Sequence, residues 1–242
     1  GYRHIDTAHG YLNEREVGEA IRESGVKRED IWLTTKIWPT EYPDAEAAVD
    51  RALERLGVEY LDLVYLHHFL GDVKAGWKGL ESAVRHGKVR SIGISNFERS
   101  DEYRAFFDGI EIAPAIAQME CHIDFTPSAY AEDLRSRGIA CEAWFPLGGT
   151  VSRKAQLSLP EVQSVARKHG KTGAQVLLRW QLQTGFAAVP GSANEAHIAG
   201  IFDFTLDADD LAALAGAGSG KRVFDVPLSA QVDMIMGFKF ND

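Results

Sequence analysis

The chain begins Gly1-Tyr-Arg-His-Ile-Asp-Thr-Ala-His-Gly-Tyr11, and the reading of these residues decides the fold. Residues 3–7 form a short run with the alternation of a strand, entered at once with no leader before it. An open, doubly wound α/β sheet would place a Gly-x-Gly-x-x-Gly phosphate turn after an early strand. Here the strand is followed by Thr7-Ala-His-Gly-Tyr11 instead. A carboxylate, Asp6, and a phenol, Tyr11, stand at its C-terminal end, where the polar residues of a closed barrel converge.

The same pattern repeats outward along the chain. Strand-like runs at 31–36, 61–67, 89–94, 115–119, 140–144 and 186–189 alternate with helix-like segments at 14–23, 44–56, 75–86, 100–107, 127–137, 159–169 and 172–184. The apolar period switches from 2 to 3.6 and back each time, as expected of a parallel sheet covered by helices. Polar residues end several of the runs: Asp6, Lys36, His67, Ser95 with Asn96, Gln118 and Trp144. The fold class expected is therefore α/β, a (β/α)8 TIM-type barrel, with residues 1–242 as a single domain. Seven strands are identifiable where closure needs eight, so the expectation is that the first βα unit is absent from this chain. Residues 193–242 make C-terminal helices and a tail, weakly periodic from about Val223, that covers the mouth or wraps the side of the barrel.

Composition narrows the function classes. With 26 Lys and Arg against 35 Asp and Glu, the net charge of -9 argues against a nucleic-acid backbone as the main partner. No apolar run approaches the ~20 residues of a membrane span. The two cysteines, Cys121 and Cys141, have no metal-ligand spacing and fit a reduced, cytoplasmic protein.

Asp6, Tyr11, Lys36 and His67 together suit proton chemistry on a carbonyl. An ammonium beside a phenol favours its ionised form, a carboxylate fixes the ammonium, and an imidazole orients the substrate oxygen. Taken singly, Asp6 and Lys36 read equally well as a rim ion pair, and His67 as a core histidine with a satisfied hydrogen bond. The surrounding motifs decide between these readings. Gly1-Tyr-Arg-His-Ile-Asp-Thr-Ala with Tyr11, Thr34-Thr-Lys-Ile-Trp38, Asp62-Leu with Leu66-His67, Gly93-Ile-Ser-Asn-Phe97, and Gln118 with Glu120-Cys-His122 resemble, in order along nearly the whole chain, the aldo-keto reductase family. The resemblance is closest to its bacterial, 2,5-diketo-D-gluconate reductase-like branch, whose members act on aldehydes, α-dicarbonyls and keto sugars. In that family the motif carrying Asp6 lies on the second barrel strand.

The resemblance implies NAD(P)H-dependent reduction of aldehydes and ketones. Tyr11 would donate the proton, Lys36 stabilise the phenolate, Asp6 pair with Lys36, and His67 hold the carbonyl. Trp38 would wall the substrate pocket, as would His68, which with Phe69 stands where the family commonly has an aromatic or Gln and then Pro. Ser95, Asn96 and Gln118 match the positions that grip the nicotinamide carboxamide. Trp144 takes the place of the stacking aromatic, with Phe145 and Leu147 beside it on the cofactor side. At the adenosine end the family often shows Ile-Pro-Lys-Ser followed by Arg, two cations on the 2′-phosphate of NADPH. Here Val189-Pro190-Gly191-Ser192 puts Gly191 at the Lys position and His197 at the Arg position. The expectation is NADPH held through Ser192, Asn194 and His197, with NADH also accepted. The segment after His197, residues 198–204, is a few residues shorter than the family pattern.

Two rivals stay open at this point. A metal-dependent barrel hydrolase is suggested by His67, His68, Glu120, His122 and Asp124; strand alternation would turn His67 and His68 to opposite faces, which argues against it. A non-catalytic, nucleotide-binding member of the same family is the alternative. The expected partner is a small carbonyl compound, with no nucleic acid and no membrane, and the expected state is a monomer.

Overall fold

The computed structural model describes residues 2–99, 102–192, 194, 197, 203–226 and 228–240. Seven strands lie in one sheet in chain order: β1 His4–Asp6, β2 Trp32–Ile37, β3 Leu61–Leu66, β4 Val89–Ser95, β5 Ile116–Glu120, β6 Ala140–Trp144 and β7 Phe186–Ala188. All seven runs expected from the sequence are strands. Helices follow them: α1 Glu14–Glu23, α2 Ala45–Leu56, α3 Val73–Arg85, α4 Tyr103–Phe106, α5 Ser128–Ser136, α6 Gly149–Leu157, α7 Pro160–His169, α8 Gly173–Gln183, α9 Ala208–Ala215 and α10 Leu228–Met236. Among the described residues no helix is long and apolar enough to cross a membrane.

The chain divides into two compact units. The first comprises Tyr2–Ala117 with Val226–Asp242. Its strands pair in parallel, with Asp6 opposite Thr34, Lys36 opposite Tyr65, and Leu66 opposite Ile94. All six residues of β3 are buried, and so are residues 33–37 of β2. Burial on both faces is what a helix-covered parallel sheet requires, and it explains why these runs read as largely apolar. Lys36 is the charged residue of β2, a cation carried near the end of a buried strand that also holds Thr34 and Thr35. Helix ends obey local rules. Asp72 caps α3 by accepting from the Ala75 N–H at 3.0 Å, and Gly57 closes α2 in the left-handed region.

The second unit comprises Gln118–Asp225. There β6 and β7 pair in parallel, and Val162, Val165, Val176, Leu177, Trp180, Leu206 and Leu214 form an apolar core with Ile123. Helix α6 is absent from the sequence expectation. Gly148 and Gly149 both adopt positive φ at its start and read as a loop, and Gln156 is its buried residue, so it carries no apolar stripe. Helices α9 and α10 fall within residues 193–242, where C-terminal helices and a tail were expected without individual bounds. Of the helix expected at 100–107 the structure shows Tyr103–Phe106, with residues 100–101 outside the described set.

Candidate active site

Asp6 ends β1, Lys36 stands one residue before the end of β2, His67 follows β3, and Tyr11 closes a 3-10 turn, His9–Tyr11, after β1. The parallel register puts these strand ends side by side. The Lys36 Nζ donates to Asp6 Oδ1 at 2.5 Å, to the Thr7 carbonyl at 3.0 Å and to Tyr11 Oη at 3.4 Å. Its side chain is 0% exposed and that of Asp6 10%. A cation so placed is tolerable only with an anion and further acceptors against it. Tyr11 is half exposed, its ring edge-on to His67 at 5.8 Å between centroids.

His67 is buried, and burial, followed by the neighbouring His68 and Lys36, pushes its pKa well below the ordinary imidazole value. The ring is therefore neutral at working pH. Its Nδ1 is buried and meets no hydrogen-bond partner among the described residues. A buried N–H without an acceptor is rarer and costlier than a bare lone pair, so the single proton belongs on Nε2. The site thus holds a neutral donor beside a phenol and an ammonium.

The rings of His67 and His68 do not point to opposite faces. They stack at 4.5 Å with 13° between planes. Strand β3 ends at Leu66, so the alternation rule no longer applies to the two histidines. Trp38 stands edge-on to both, at 5.1 and 5.2 Å. The structure thus brings Trp38, His67 and His68 together. The tail joins them within the first unit. Trp38 Nε1 donates to the Ile235 carbonyl at 2.7 Å, Phe238 lies 5.3 Å from Trp38, and Phe240 stacks on His9 at 3.6 Å. Sequence reasoning passed over Phe238 and Phe240; two aromatics spaced by two in a polar tail were the available signal. Of the other members of the supposed metal set, Glu120 and His122 bond each other at 3.2 Å, His122 Nδ1 meets Gln156 Nε2 at 3.1 Å, and Asp124 Oδ1 accepts from the Ser219 N–H at 3.1 Å. Among the described residues no three His, Cys, Asp or Glu side chains are grouped to hold a metal.

Ser95 ends β4, and Asn96 follows it with φ +61°, a conformation asparagine tolerates better than most residues. Asn96 Nδ2 donates to the His67 carbonyl at 2.9 Å and to Ser95 Oγ at 3.1 Å. With its donors committed to the protein, the carboxamide presents Oδ1, an acceptor suited to the N–H of a ligand amide. That arrangement fits a nicotinamide carboxamide.

In the second unit Gln118 is buried on β5 and donates to Glu142 Oε2 at 2.6 Å. Trp144 ends β6, its ring 4.7 Å from Phe145 and 6.1 Å from Phe224. Phe145 has φ +55°, strained for a bulky side chain, at the turn after the strand. Leu147 packs on the apolar core of this unit. Gly191 and Ser192 follow β7, and Ser192 Oγ accepts from the Asn194 N–H at 3.1 Å. His197 is exposed. The shortened stretch after it falls largely on residues 198–202, which lie outside the described residues. Glu120, whose role was not read from its motif, accepts from Arg222 at 3.1 Å and from the N–H groups of Val223 and Phe224 at 2.6 and 3.0 Å.

A family model described as the aldo/keto reductase family matches residues 1–218. An aldo-keto reductase of Mycolicibacterium smegmatis is 42% identical over 233 residues, covering 92% of this chain and 82% of that protein. The glyoxal reductase of Bacillus subtilis is 41% identical over 231 residues, covering 92% and 81%. Among solved structures, an aldo-keto reductase of Bombyx mori in complex with NADP matches with a TM-score of 0.85 at 33% identity, covering 93% of this chain and 81% of that one. This likeness carries the barrel class expected from the polar strand ends.

Proposed function

The chain belongs to the aldo/keto reductase family, and from that premise we propose that it reduces small aldehydes and ketones to alcohols with Tyr11 as the general acid. The observation that carries this reading is the three-way contact of Lys36 Nζ with Asp6, Thr7 and Tyr11. When bound, a reduced nicotinamide supplies the hydride to the carbonyl carbon. Tyr11 Oη gives its proton to the carbonyl oxygen, and Lys36 stabilises the phenolate that remains. His67, neutral and protonated at Nε2, donates to the same oxygen and fixes its direction. Asp6 holds Lys36 in place. Trp38 and His68 form the wall against the rest of the substrate.

Ser95, Asn96 and Gln118 are assigned to the nicotinamide carboxamide, and Trp144, with Phe145 and Leu147, to its ring side. At the adenosine end, where Ser192 keeps its place, Gly191 and exposed His197 stand at the positions of two permanent cations, which removes much of the electrostatic advantage of a 2′-phosphate. NADPH is used, and NADH is accepted with it. The reading extends to residues 1–242 acting as one barrel domain, monomeric and in the cytoplasm.

The test is nucleotide oxidation by the purified chain with an α-dicarbonyl, an aromatic aldehyde and a keto sugar, using NADPH and NADH in parallel. Carbonyl-dependent turnover with both nucleotides, lost in Tyr11→Phe, is expected. Turnover unaffected by Tyr11→Phe overturns the assignment of the acid. A preference for NADPH by several orders of magnitude overturns the relaxed discrimination.

A further inference from the structure

His67 lies beyond the last regular rung of the sheet. Its own N–H still reaches the Ile37 carbonyl at 3.2 Å, but β3 has ended at Leu66, and among the described residues no further ladder bond is seen at the next peptide groups. Side chains supply the bonds instead. The His67 carbonyl accepts from Asn96 Nδ2 at 2.9 Å. The His68 N–H donates to Tyr42 Oη at 3.0 Å, and that same hydroxyl donates to the His68 carbonyl at 2.7 Å. One phenol thus stands in for a neighbouring strand at His68, and two side chains pin the dipeptide from opposite sides.

Tyr42 is built for this duty. It is 0% exposed and sits in the 3-10 turn Pro39–Asp44, which follows β2 and so leaves the same strand end as Lys36. Gly76 of α3 lies under its ring, where an added Cβ would come within 2.9 Å of Tyr42 Cγ and 3.0 Å of Leu66 Cδ2. Burial pushes the pKa of the hydroxyl up, so it stays protonated and keeps both a donor and an acceptor at every working pH.

We propose that Tyr42 is a positioning residue for carbonyl reduction: its hydroxyl clamps the His68 backbone so that the His67 ring is aimed at the substrate oxygen and shielded from water. The inference rests on the reading of His67 as the group that orients the carbonyl. Tyr42 touches no substrate; it acts through the 67–68 turn. The stacked His67 and His68 rings follow from the same clamp, since both side chains leave a turn whose peptide groups are fixed. Among the described residues the titratable groups that face His67 are Lys36, His68 and Tyr11. Loosening the turn would let solvent in among them and change the environment of the His67 ring.

The test compares the unchanged chain with Tyr42→Phe and with Trp77→Phe. The second variant loses another buried side-chain bond, from Trp77 Nε1 to the Ile112 carbonyl at 3.0 Å, without touching the 67–68 backbone. In Tyr42→Phe the KM for the carbonyl is expected to rise about ten- to a hundredfold, the cost of a misaimed group, while the nucleotide Kd measured by fluorescence is unchanged. By NMR, His67 titrates well below the ordinary imidazole value in the unchanged chain and in Trp77→Phe, and its titration moves up toward that value in Tyr42→Phe.

A folded Tyr42→Phe with unaltered KM and an unmoved His67 titration overturns the proposal. Equal kinetic losses in both variants overturn it as well, because general destabilisation then explains them. Should Tyr42→Phe fail to fold, hydrogen exchange at the His68 amide of the unchanged chain decides. Protection equal to that of the β3 core upholds the clamp, and rapid exchange overturns it. If the unchanged chain shows no carbonyl reduction, the reading of His67 is what fails, and titration and exchange still score the clamp independently.

Discussion

Replacing Lys36 by methionine removes the cation that lies 3.4 Å from Tyr11 Oη while keeping most of the buried stem. In the proposed reaction Tyr11 gives up its proton, and the phenolate forms opposite that ammonium. At 3.4 Å the Coulomb attraction is about 5 kcal/mol in an environment of effective dielectric ~20 and about 1 kcal/mol in bulk water. Lys36 is 0% exposed at its side chain but Tyr11 is 50% exposed, so the true value falls between these limits. Taking roughly 3–4 kcal/mol, kcat/KM should fall about a hundred- to a thousandfold. The nucleotide Kd should stay the same, because Lys36 is assigned no contact with the cofactor. Nucleotide oxidation followed by absorbance, with fluorescence titration of nucleotide and a thermal melt on the same sample, separates the three effects. Lys36→Arg should not rescue, since a planar fork cannot reproduce one nitrogen donating to Asp6, Thr7 and Tyr11 together. If folded Lys36→Met kept more than about a tenth of the kcat/KM, phenolate stabilisation by Lys36 would be wrong, because even the solvent limit predicts a loss near that size.

Acid stability should report on Glu120. Burial alone would raise its pKa, but the His122 side chain, the Phe224 and Val223 N–H groups and Arg222 outweigh it and hold it at about 2. A carboxylate depressed in this way contributes stability that is present above its ordinary 4.5 and lost as pH falls toward about 2. Of order 3 kcal/mol is at stake, so Glu120→Gln should lower the neutral-pH melting temperature and flatten its dependence on pH between those limits; an unflattened profile counts against the assignment. Gly18 of α1 leaves no room against α2, since an added Cβ would lie 2.0 Å from the Leu56 carbonyl oxygen. Gly18→Ala should therefore cost about 2–3 kcal/mol and lower the melting temperature by roughly 5–10 °C, and a melt within a degree of the unchanged chain would contradict that close approach.

Much of the fold was legible because burial on both faces writes β2 and β3 as apolar runs, and because a polar residue at the end of such a run has few structural reasons to be there. Asp6, Lys36 and His67 stood out on that ground before any partner was known. What could not be read depends on contacts the local pattern does not encode. Helix α6 hides behind Gly148 and Gly149, whose positive φ angles serve a helix start here rather than a loop. The orientation of His68 was misread because the strand rule was carried past Leu66, where the strand stops. Tyr42 looks like one more turn aromatic until the 26-residue separation between it and His68 is closed by the fold. The same holds for Phe240, whose stacking on His9 joins the two ends of the first unit.

The residues that escaped the sequence share a physical task. A parallel ladder satisfies its own backbone groups, but a catalytic side chain is useful only beyond the last rung, where those groups lose their partners. Each strand end in the first unit meets this problem with help from a neighbouring element. Lys36, leaving β2, donates to the Thr7 carbonyl just past β1. The His67 carbonyl, just past β3, accepts from Asn96, just past β4, and the next peptide group is held by Tyr42, just past β2. The precision of the site is thus set by side chains that replace missing backbone partners. A substitution that spares Asp6, Tyr11, Lys36 and His67 but removes one of those replacements should cost alignment first and folding second.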